Sequence, residues 1–477
     1  MVFASPLFLF AFLPLALALY YLTPTRARNF VLLCLSLVFY AWGEREWVVV
    51  MLASVAFNWL GAMLVGALTG HSQQRRVLGV LVALNLLALG YFKYADFALE
   101  NIGQLLVRFG FEPLQPLKQH LPLGISFFTF HAISYVVDVY RGQSRALKNP
   151  LDTALYIALF PQLIAGPIIR YHYIEQQLQQ RGAGLEDMER GIQRFVIGLA
   201  KKVLIANVVA RAADQIFALP SEHLSFGIAW LGVLCYALQI YFDFSGYSDM
   251  ALGLGRMFGF RFPENFDHPY ASRSITEFWR RWHISLSSWF RDYLYIPLGG
   301  NRGSSGRTYL NLVTVFLLCG LWHGASWTFV LWGALHGAFL VLERAGLGKQ
   351  LASAPSALQR SYALLVVLLG WVFFRADNLG QALLFLRAMV GGSGLSTPGY
   401  PVALYATPAV LIAGLFGALL SFPVPALAAR AFDTRAPQHL PAWLTRTLAV
   451  VLTLVLFGLS AASLATHTYN PFIYFRF

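Results

Sequence analysis

The residue of this chain best placed to do chemistry is His323, in the dipeptide Trp322-His323 between two apolar runs. A membrane interior disfavours ionisable groups, so a histidine in such a setting is a functional-site hypothesis by default. The alternative is a structural imidazole satisfied by a buried hydrogen bond. Gly320 and Gly324 flank the dipeptide, which predicts a loosened helix or the close approach of another segment or a substrate.

A second histidine, His283, lies in the amphipathic stretch 275–296. Apolar and aromatic residues recur there at three- and four-residue steps from Trp279, while Arg280 and Arg291 fall on another face. The pattern predicts one interfacial helix with His283 pointing inward beside aromatic rings, although a histidine on an apolar face is also commonly structural. Imidazole exchanges protons near neutral pH, which suits general-base activation of a hydroxyl or thiol.

Other polar residues receive structural interpretations. His336 lies in an apolar helix and is expected to be mainly structural. Cys319 is four residues before His323 and can share its helical face. An acyl-cysteine is conceivable, but free cysteine packs well as a small apolar residue. Capping of a following helix is expected for Asp249, or for the neighbouring Ser245.

Several common chemistries lack their patterns in this sequence. The motifs of P-loops, serine-hydrolase elbows and zinc proteases are missing, and the eleven histidines are scattered, so we expect no metal site. Asn265 and Asp267 are interpreted as turn residues.

The composition indicates a membrane protein. The chain of 477 residues is 57% hydrophobic and 12% charged, whereas soluble domains carry about 25% charged residues. Apolar stretches of roughly bilayer length recur along it and favour helices. They lie near 5–23, 29–43, 46–68, 77–98, 121–140, 151–169, 192–218, 226–245, 309–321, 326–344, 361–376, 404–422 and 443–465.

The segment 256–307 is too polar to span a membrane. It holds eight arginines against four acidic residues, so we expect it at the cytoplasmic interface. The net charge of +13 then reflects membrane topology and does not indicate nucleic-acid binding.

Several blocks of the sequence resemble the membrane-bound O-acyltransferase (MBOAT) family, and within it the membrane subunits of alginate and other bacterial exopolysaccharide O-acetylation systems. They run from residue 1 to about 345 and are specific in combination. The blocks are MVFASPLFLFAFLP, LGYFKYADF, LPLGISFFTFHAISYVVDVYRG, LFPQLIAGPIIR, YFDFSGYSDMALGLGRMFGFRFPENFDHPY, SITEFWRRWHISLSSWFRDYLYIPLGGNR and GLWHGASWTFVLWGALHG.

The resemblance implies an all-α polytopic membrane protein, a ring of about eleven transmembrane helices with re-entrant and interfacial helices around a central tunnel. Residues 1–477 would form a single acyltransferase domain. Within it, 256–307 would be the cytoplasmic interfacial segment and 309–345 the helices of the catalytic histidine.

The resemblance also implies roles for particular residues. The essential intramembrane histidine of the family falls on His323, expected to be the general base or, as an alternative, a transient acyl carrier. The second family position falls on His283, expected to position or polarise the thioester. The expected substrate contacts are Arg280, Arg281, Arg291, Trp322 and Trp279, with the arginines meeting the phosphates of the donor.

The implied enzyme is an O-acetyltransferase of the bacterial inner membrane. Acetyl-CoA would be its donor substrate, with no permanently bound cofactor. A periplasmic SGNH-type acetyltransferase and the exopolysaccharide synthesis machinery would be its partners, beside membrane lipid. The polymer, alginate or cellulose for example, stays open.

Three alternatives remain at this point. D-alanyl transfer to teichoic acid would use a carrier-protein thioester instead of acetyl-CoA. A polysaccharide or lipid transporter would commonly show repeat-related broken helices, and the sequence has one marked break, at 322–324. A non-catalytic scaffold of a secretion complex would tolerate substitution of its histidines.

Overall fold

The computed structural model describes residues 1–164, 166–394, 399–423, 441–466 and 469–471. The chain divides into two compact units, Met1–Ile192 with Ala251–Pro263 and Gln193–Met250 with Glu264–Phe477. Regular secondary structure over the described residues is helical, which confirms the predicted all-α class.

Twenty α-helices are described. The first ten are α1 Leu13–Leu22, α2 Arg28–Ala41, α3 Val48–Ala67, α4 His71–Arg108, α5 Ile125–Tyr140, α6 Pro150–Ala158, α7 Phe160–Leu163, α8 Tyr171–Gln179, α9 Leu185–Ala200 and α10 Asn207–Phe217. The others are α11 Phe226–Met257, α12 Ile275–Arg281, α13 Ile284–Phe290, α14 Ser305–His323, α15 Trp327–Leu342, α16 Gly348–Ser353, α17 Ser356–Arg375, α18 Leu379–Met389, α19 Pro408–Leu420 and α20 Ala442–Thr466.

The lengths and compositions of its helices indicate that the protein crosses the membrane several times, as predicted. Spanning about 30 Å of hydrocarbon takes about 20 apolar residues. Within the described ranges, six helices meet this requirement: Val48–Ala67, His71–Arg108, Phe226–Met257, Trp327–Ser353, Ser356–Arg375 and Trp443–Thr466. Four shorter apolar helices accompany them: Phe8–Leu22, Ile125–Tyr140, Leu379–Met389 and Pro408–Leu420.

Two apolar stretches differ from their predicted extents. The stretch 77–98 belongs to the 38-residue α4, because the polar residues at both of its ends are good helix formers. The stretch 151–169 is divided, since Leu159 has an extended ψ of 111° between α6 and α7. Pro161, which has no amide hydrogen, follows within the first turn of α7.

Helices α14 and α15 form a tight hairpin because glycines remove the side chains at their contact. A Cβ on Gly320 would lie 2.3 Å from the carbonyl oxygen of Phe329, and one on Gly333 would lie 2.3 Å from that of Phe316. The two backbones are therefore in direct contact. Of the two expectations for Gly320, the close approach of another segment is the one that the structure has. The hairpin fixes His323, the last residue of α14.

The predicted continuous helix over 275–296 is wrong. Helix α12 ends at Arg281 and α13 begins at Ile284, with His283 between them in the left-handed region at φ 45°. The amide of Ile284 donates to the carbonyl oxygen of Asn265, at 3.0 Å, instead of continuing the helical ladder. A long-range hydrogen bond has overridden the local periodicity, and it places His283 at a break between two helices.

Candidate functional site

His323 ends α14 inside a cage of aromatic rings. It is 6% exposed. Its ring centroid lies 4.9 Å from that of Trp322, 5.0 Å from that of Trp332 and 5.1 Å from that of Phe374, each with its plane steeply inclined. Such edge-to-face packing fixes the orientation of the imidazole.

His283 is fully buried and approaches the same aromatic cluster. Its ring lies 4.6 Å from the ring of Phe244 and 6.1 Å from that of Trp322, centroid to centroid. Trp322 therefore contacts both predicted catalytic histidines, which come from segments 40 residues apart in the sequence. The structure brings the predicted pair to a single indole.

His336 contributes a third buried imidazole. Its Nδ1 accepts a hydrogen bond from the indole Nε1 of Trp279, at 3.3 Å. Because an indole N–H only donates, Nδ1 carries no proton and the ring is the neutral Nε2–H form. The expectation of a mainly structural His336 stays a prediction, but this hydrogen bond ties it to one of the predicted substrate contacts.

A cavity of about 560 Å³ lies between the α12–α13 segment and the α14–α15 hairpin. Its lining includes predicted donor contacts, Trp279, Arg280 and Arg291, together with Thr276, Phe316, Cys319 and Leu340. Arg280 and Arg291 place two guanidinium groups in the wall, and the second forms an ion pair with Asp292 at 2.7 Å. The ring of Trp279 and the aliphatic side chains are the apolar components of the wall. This combination suits a donor with phosphates at one end and a thin thioester arm at the other.

Two predicted substrate contacts lie outside that lining. Arg281 forms ion pairs with Glu277, at 2.8 Å, and with Asp267, at 3.4 Å. Trp322 instead packs between the two histidines. The structure thus groups the seven predicted residues into a cavity wall, a histidine cluster and Arg281, which belongs to neither.

Cys319 and Trp279 connect the cavity with the histidine cluster. Cys319 lines the cavity one helical turn before His323. Trp279 lines it as well, and its ring lies 5.6 Å from that of Trp332, which in turn contacts His323. The separation between cavity and imidazole is therefore about one aromatic ring.

Glu343, which the sequence analysis did not single out, holds the start of α12. Its carboxylate accepts hydrogen bonds from the amides of Ile275 and Thr276, at 2.6 and 2.9 Å, and from the hydroxyl of Thr276, at 2.6 Å. Tyr362 on α17 donates a further one, at 3.1 Å. A buried carboxylate at a helix N-terminus is favoured by the free amides there, and Thr276 also lines the cavity.

We expect the substitution Glu343→Gln to destabilise the protein by about 2–3 kcal/mol, because charge-assisted hydrogen bonds are replaced by weaker ones and one amide donor would face other donors. Thermal unfolding in detergent, followed by intrinsic fluorescence, measures the change. The matched control is Glu186→Gln, which removes an exposed ion pair with Arg190 and should cost about 0.5 kcal/mol or less. Equal unfolding temperatures of the two variants would contradict the capping role.

The acidic residues of α11 form ion pairs. The predicted cap at Asp249 is wrong, because α11 runs unbroken from Phe226 to Met257. Asp249 pairs with Arg194 at 2.6 Å and with Lys201 at 2.7 Å. Among the residues that the structure describes, no group of three or more metal-ligating side chains is close enough to hold an ion.

Comparison with known proteins places the chain in a family. Residues 117–379 match the membrane-bound O-acyltransferase family. A probable alginate O-acetylase of Azotobacter vinelandii is 45% identical, and one of Pseudomonas aeruginosa is 43% identical, each over the full length of both chains. A peptidoglycan O-acetyltransferase of Helicobacter pylori is 39% identical over 83% of this chain and 81% of its own.

The chain belongs to the membrane-bound O-acyltransferase family. The resemblance seen in the sequence and the predicted enzyme class, an acyltransferase, are thereby confirmed. The first two relatives extend the similarity to both ends of the chain, beyond the blocks that carried the resemblance.

Proposed function

We propose that this enzyme moves an acetyl group from a cytoplasmic thioester, acetyl-CoA, across the bacterial inner membrane for O-acetylation of an exopolysaccharide. Alginate is the proposed polymer, because it is named in the relatives that match over full length. A periplasmic SGNH-type acetyltransferase is the proposed partner on the acceptor side.

One observation carries the proposal: two buried histidines flank Trp322, and a cavity with Arg280 and Arg291 in its wall lies beside them. Transfer from a thioester needs a group that takes the proton of the acceptor hydroxyl and a binding site for the donor. We propose that the histidine cluster, formed by His323 and His283, meets the first requirement. The cavity supplies the second.

The test is acetyl transfer by the purified full-length protein in liposomes, with radiolabelled acetyl-CoA and an alginate oligosaccharide, with and without the periplasmic partner. Label is expected to appear in the sugar or on the partner. A second arm offers a D-alanyl carrier-protein thioester. Turnover of that donor alone would favour teichoic-acid chemistry, and passage of intact oligosaccharide without bond formation would favour a transporter.

We expect the double substitution Arg280→Gln and Arg291→Gln to raise KM for acetyl-CoA by about tenfold or more, because each lost charge-assisted contact to a phosphate is worth about 1.5–3 kcal/mol when desolvated and less when exposed. kcat should change little, since neither side chain lies in the histidine cluster. Initial rates over a range of donor concentrations give both parameters.

The control for this pair is Arg273→Gln, an exposed arginine of the same segment that does not line the cavity. It should leave KM within about twofold, because a change at an exposed site outside the cavity lining is energetically small. If Arg273→Gln raises KM as much per charge removed as the double substitution does, the cavity is not the donor site. The net charge of the segment would then determine the affinity for the donor.

A further inference from the structure

The side-chain amide of Asn265 has an orientation that its contacts determine. Asn265 is 1% exposed, in the loop that precedes α12. The amide of Ser285 donates to its Oδ1 at 3.1 Å, and the hydroxyl of Ser285 donates to the same atom at 2.9 Å. A backbone N–H can only donate, so the atom that faces it is the oxygen, and the usual ambiguity between the two ends of an amide is resolved.

This orientation decides which nitrogen of His283 carries the proton. His283 Nδ1 lies 3.2 Å from the same Oδ1 atom of Asn265. Because that oxygen only accepts, Nδ1 is the donor, and the neutral ring has its lone pair at Nε2. Nε2 is buried and has no hydrogen-bond partner within the described part of the chain.

The backbone of His283 is held in an unfavourable conformation for this arrangement. Its φ of 45° lies in the left-handed region, which a residue with a Cβ adopts at an energetic cost. The carbonyl of Asn265 accepts from the amide of Ile284 next to it. Asn265 thus holds this turn through its main chain and the imidazole through its side chain, and strain maintained in this way is typical of functional positions.

We propose that His283 is the proton acceptor of the acyl transfer, and that Asn265 is the positioning residue that fixes its Nδ1–H form. The inference rests on the proposed function and deepens it. It replaces the polarising role expected for His283, because a nitrogen without a proton cannot donate a hydrogen bond to a carbonyl oxygen.

The proton of the acceptor hydroxyl passes to His283 Nε2 while the hydroxyl oxygen forms a bond to the thioester carbonyl carbon. The C–S bond then breaks, and the departing thiolate takes the proton from Nε2. The products are an ester and a free thiol, and the ring returns to its neutral form. His323, on another side of Trp322, orients the reacting groups.

Most charged groups on the elements that pack against this ring are ion-paired, whereas Arg280 lines the cavity and Arg273 and Arg307 are exposed. The pairs are Lys202 with Asp243, Lys201 and Arg194 with Asp249, Arg194 with Glu264, and Arg281 with Asp267 and Glu277. Other titratable groups on these elements include His268 in the preceding loop, and Cys319 and His323 on α14. The hydrogen-bonding partners of His283 and the rings that pack near it are uncharged, namely Asn265, Ser285, Phe244, Phe266 and Trp322. A carboxylate introduced at position 265 would therefore be a new charge directly against the imidazole.

The decisive variant is Asn265→Asp. Burial lowers the pKa of His283 in the native protein, which keeps the ring neutral. A carboxylate beside Nδ1 favours the protonated ring and raises that pKa. Nε2 then carries a proton, and cannot accept one, up to a higher pH than in the native protein. The acid limb of the kcat/KM profile should move upward by about one to three pH units. Asn265→Ala, which frees the ring, should lower kcat by about 10–100-fold with an unchanged KM for acetyl-CoA.

The matched control is Asn311→Asp. Asn311 is 6% exposed on α14, and its amide nitrogen donates to the carbonyls of Leu298 and Gly300, away from His283. This variant should lose stability without moving the acid limb. If both aspartate variants shift the profile alike, or if neither does, His283 is not the proton acceptor.

The protonated nitrogen can also be observed without turnover. The nitrogen-15 spectrum of histidine-labelled protein in lipid, with the His283 signals assigned by their loss in His283→Gln, should show hydrogen on Nδ1 and none on Nε2. The reverse pattern would overturn the inference. Acetyl transfer by the wild-type protein distinguishes failure of the proposed function from failure of the role of His283. If the wild-type protein transfers no acetyl group, the proposed function fails. If it does, but the pH profile of Asn265→Asp is unshifted, only the role of His283 is refuted.

Discussion

A His323→Ala protein is expected to insert, fold and bind acetyl-CoA, and to lose acetyl transfer by about 10²–10⁴-fold. The expectation follows from the position of the ring, which contacts Trp322 and Trp332 and lies one turn beyond Cys319 in the cavity wall. A group that handles or orients the transferred proton contributes an effect of this size. The measurement is single-turnover transfer of labelled acetyl, with donor binding determined separately by equilibrium dialysis.

The matched control is another buried histidine, His131→Ala in α5. His131 is fully buried, and its Nε2 accepts a hydrogen bond from the amide of Ile169. Its loss should lower the unfolding temperature, because a buried donor is left without a partner, while kcat per folded molecule is retained. Undiminished turnover by a folded His323→Ala protein would remove the enzymatic account of the histidine cluster.

The second large effect is expected at the glycine contact of the α14–α15 hairpin. In Gly320→Ala the new methyl group would lie 2.3 Å from the carbonyl oxygen of Phe329, a backbone atom that cannot rotate away. The helices must separate, which should cost about 1–3 kcal/mol. His323, three residues further on, would move with α14, so turnover should fall as well. Thermal unfolding in detergent and initial rates measure the two consequences.

The comparison for this variant is Gly306→Ala on the same helix, where an added Cβ meets nothing within 4 Å. Alanine is the better helix former, so this change should stabilise the protein by up to about 1 kcal/mol. Both variants replace glycine with alanine on the same helix, so the difference between their unfolding temperatures reports the effect of the clash between α14 and α15. Similar unfolding temperatures for both variants would show that α14 and α15 can move apart without loss of stability.

The sequence alone predicted those parts of the site that depend on local pattern. A histidine between two glycine-flanked apolar runs predicted the buried position of His323. The helical periodicity placed Arg280 and Arg291 on a different face from Trp279, but all three residues line the cavity, because the helix is broken at His283. The burial of His323 could be predicted because the apolar runs on both sides of it form packed helices.

The parts that escaped prediction depend on contacts between distant segments. Glu343 reaches Ile275, 68 residues away, and Asn265 reaches Ser285, 20 residues away. A single glutamate or asparagine gives no local sign of such a partner. The break at His283 escaped for the same reason, since helical periodicity continues through it and only the hydrogen bond from Ile284 to Asn265 interrupts the ladder.

The carboxylate of Glu343 links three helices beside the cavity. It joins the beginning of α12, the end of α15 and Tyr362 of α17 through four hydrogen bonds. The part of the cavity wall that Thr276 forms is therefore preorganised, and the conformational entropy of shaping it is lost when the chain folds, before any ligand arrives. We therefore expect the affinity of this cavity for a ligand to depend little on temperature-driven loosening of these helices.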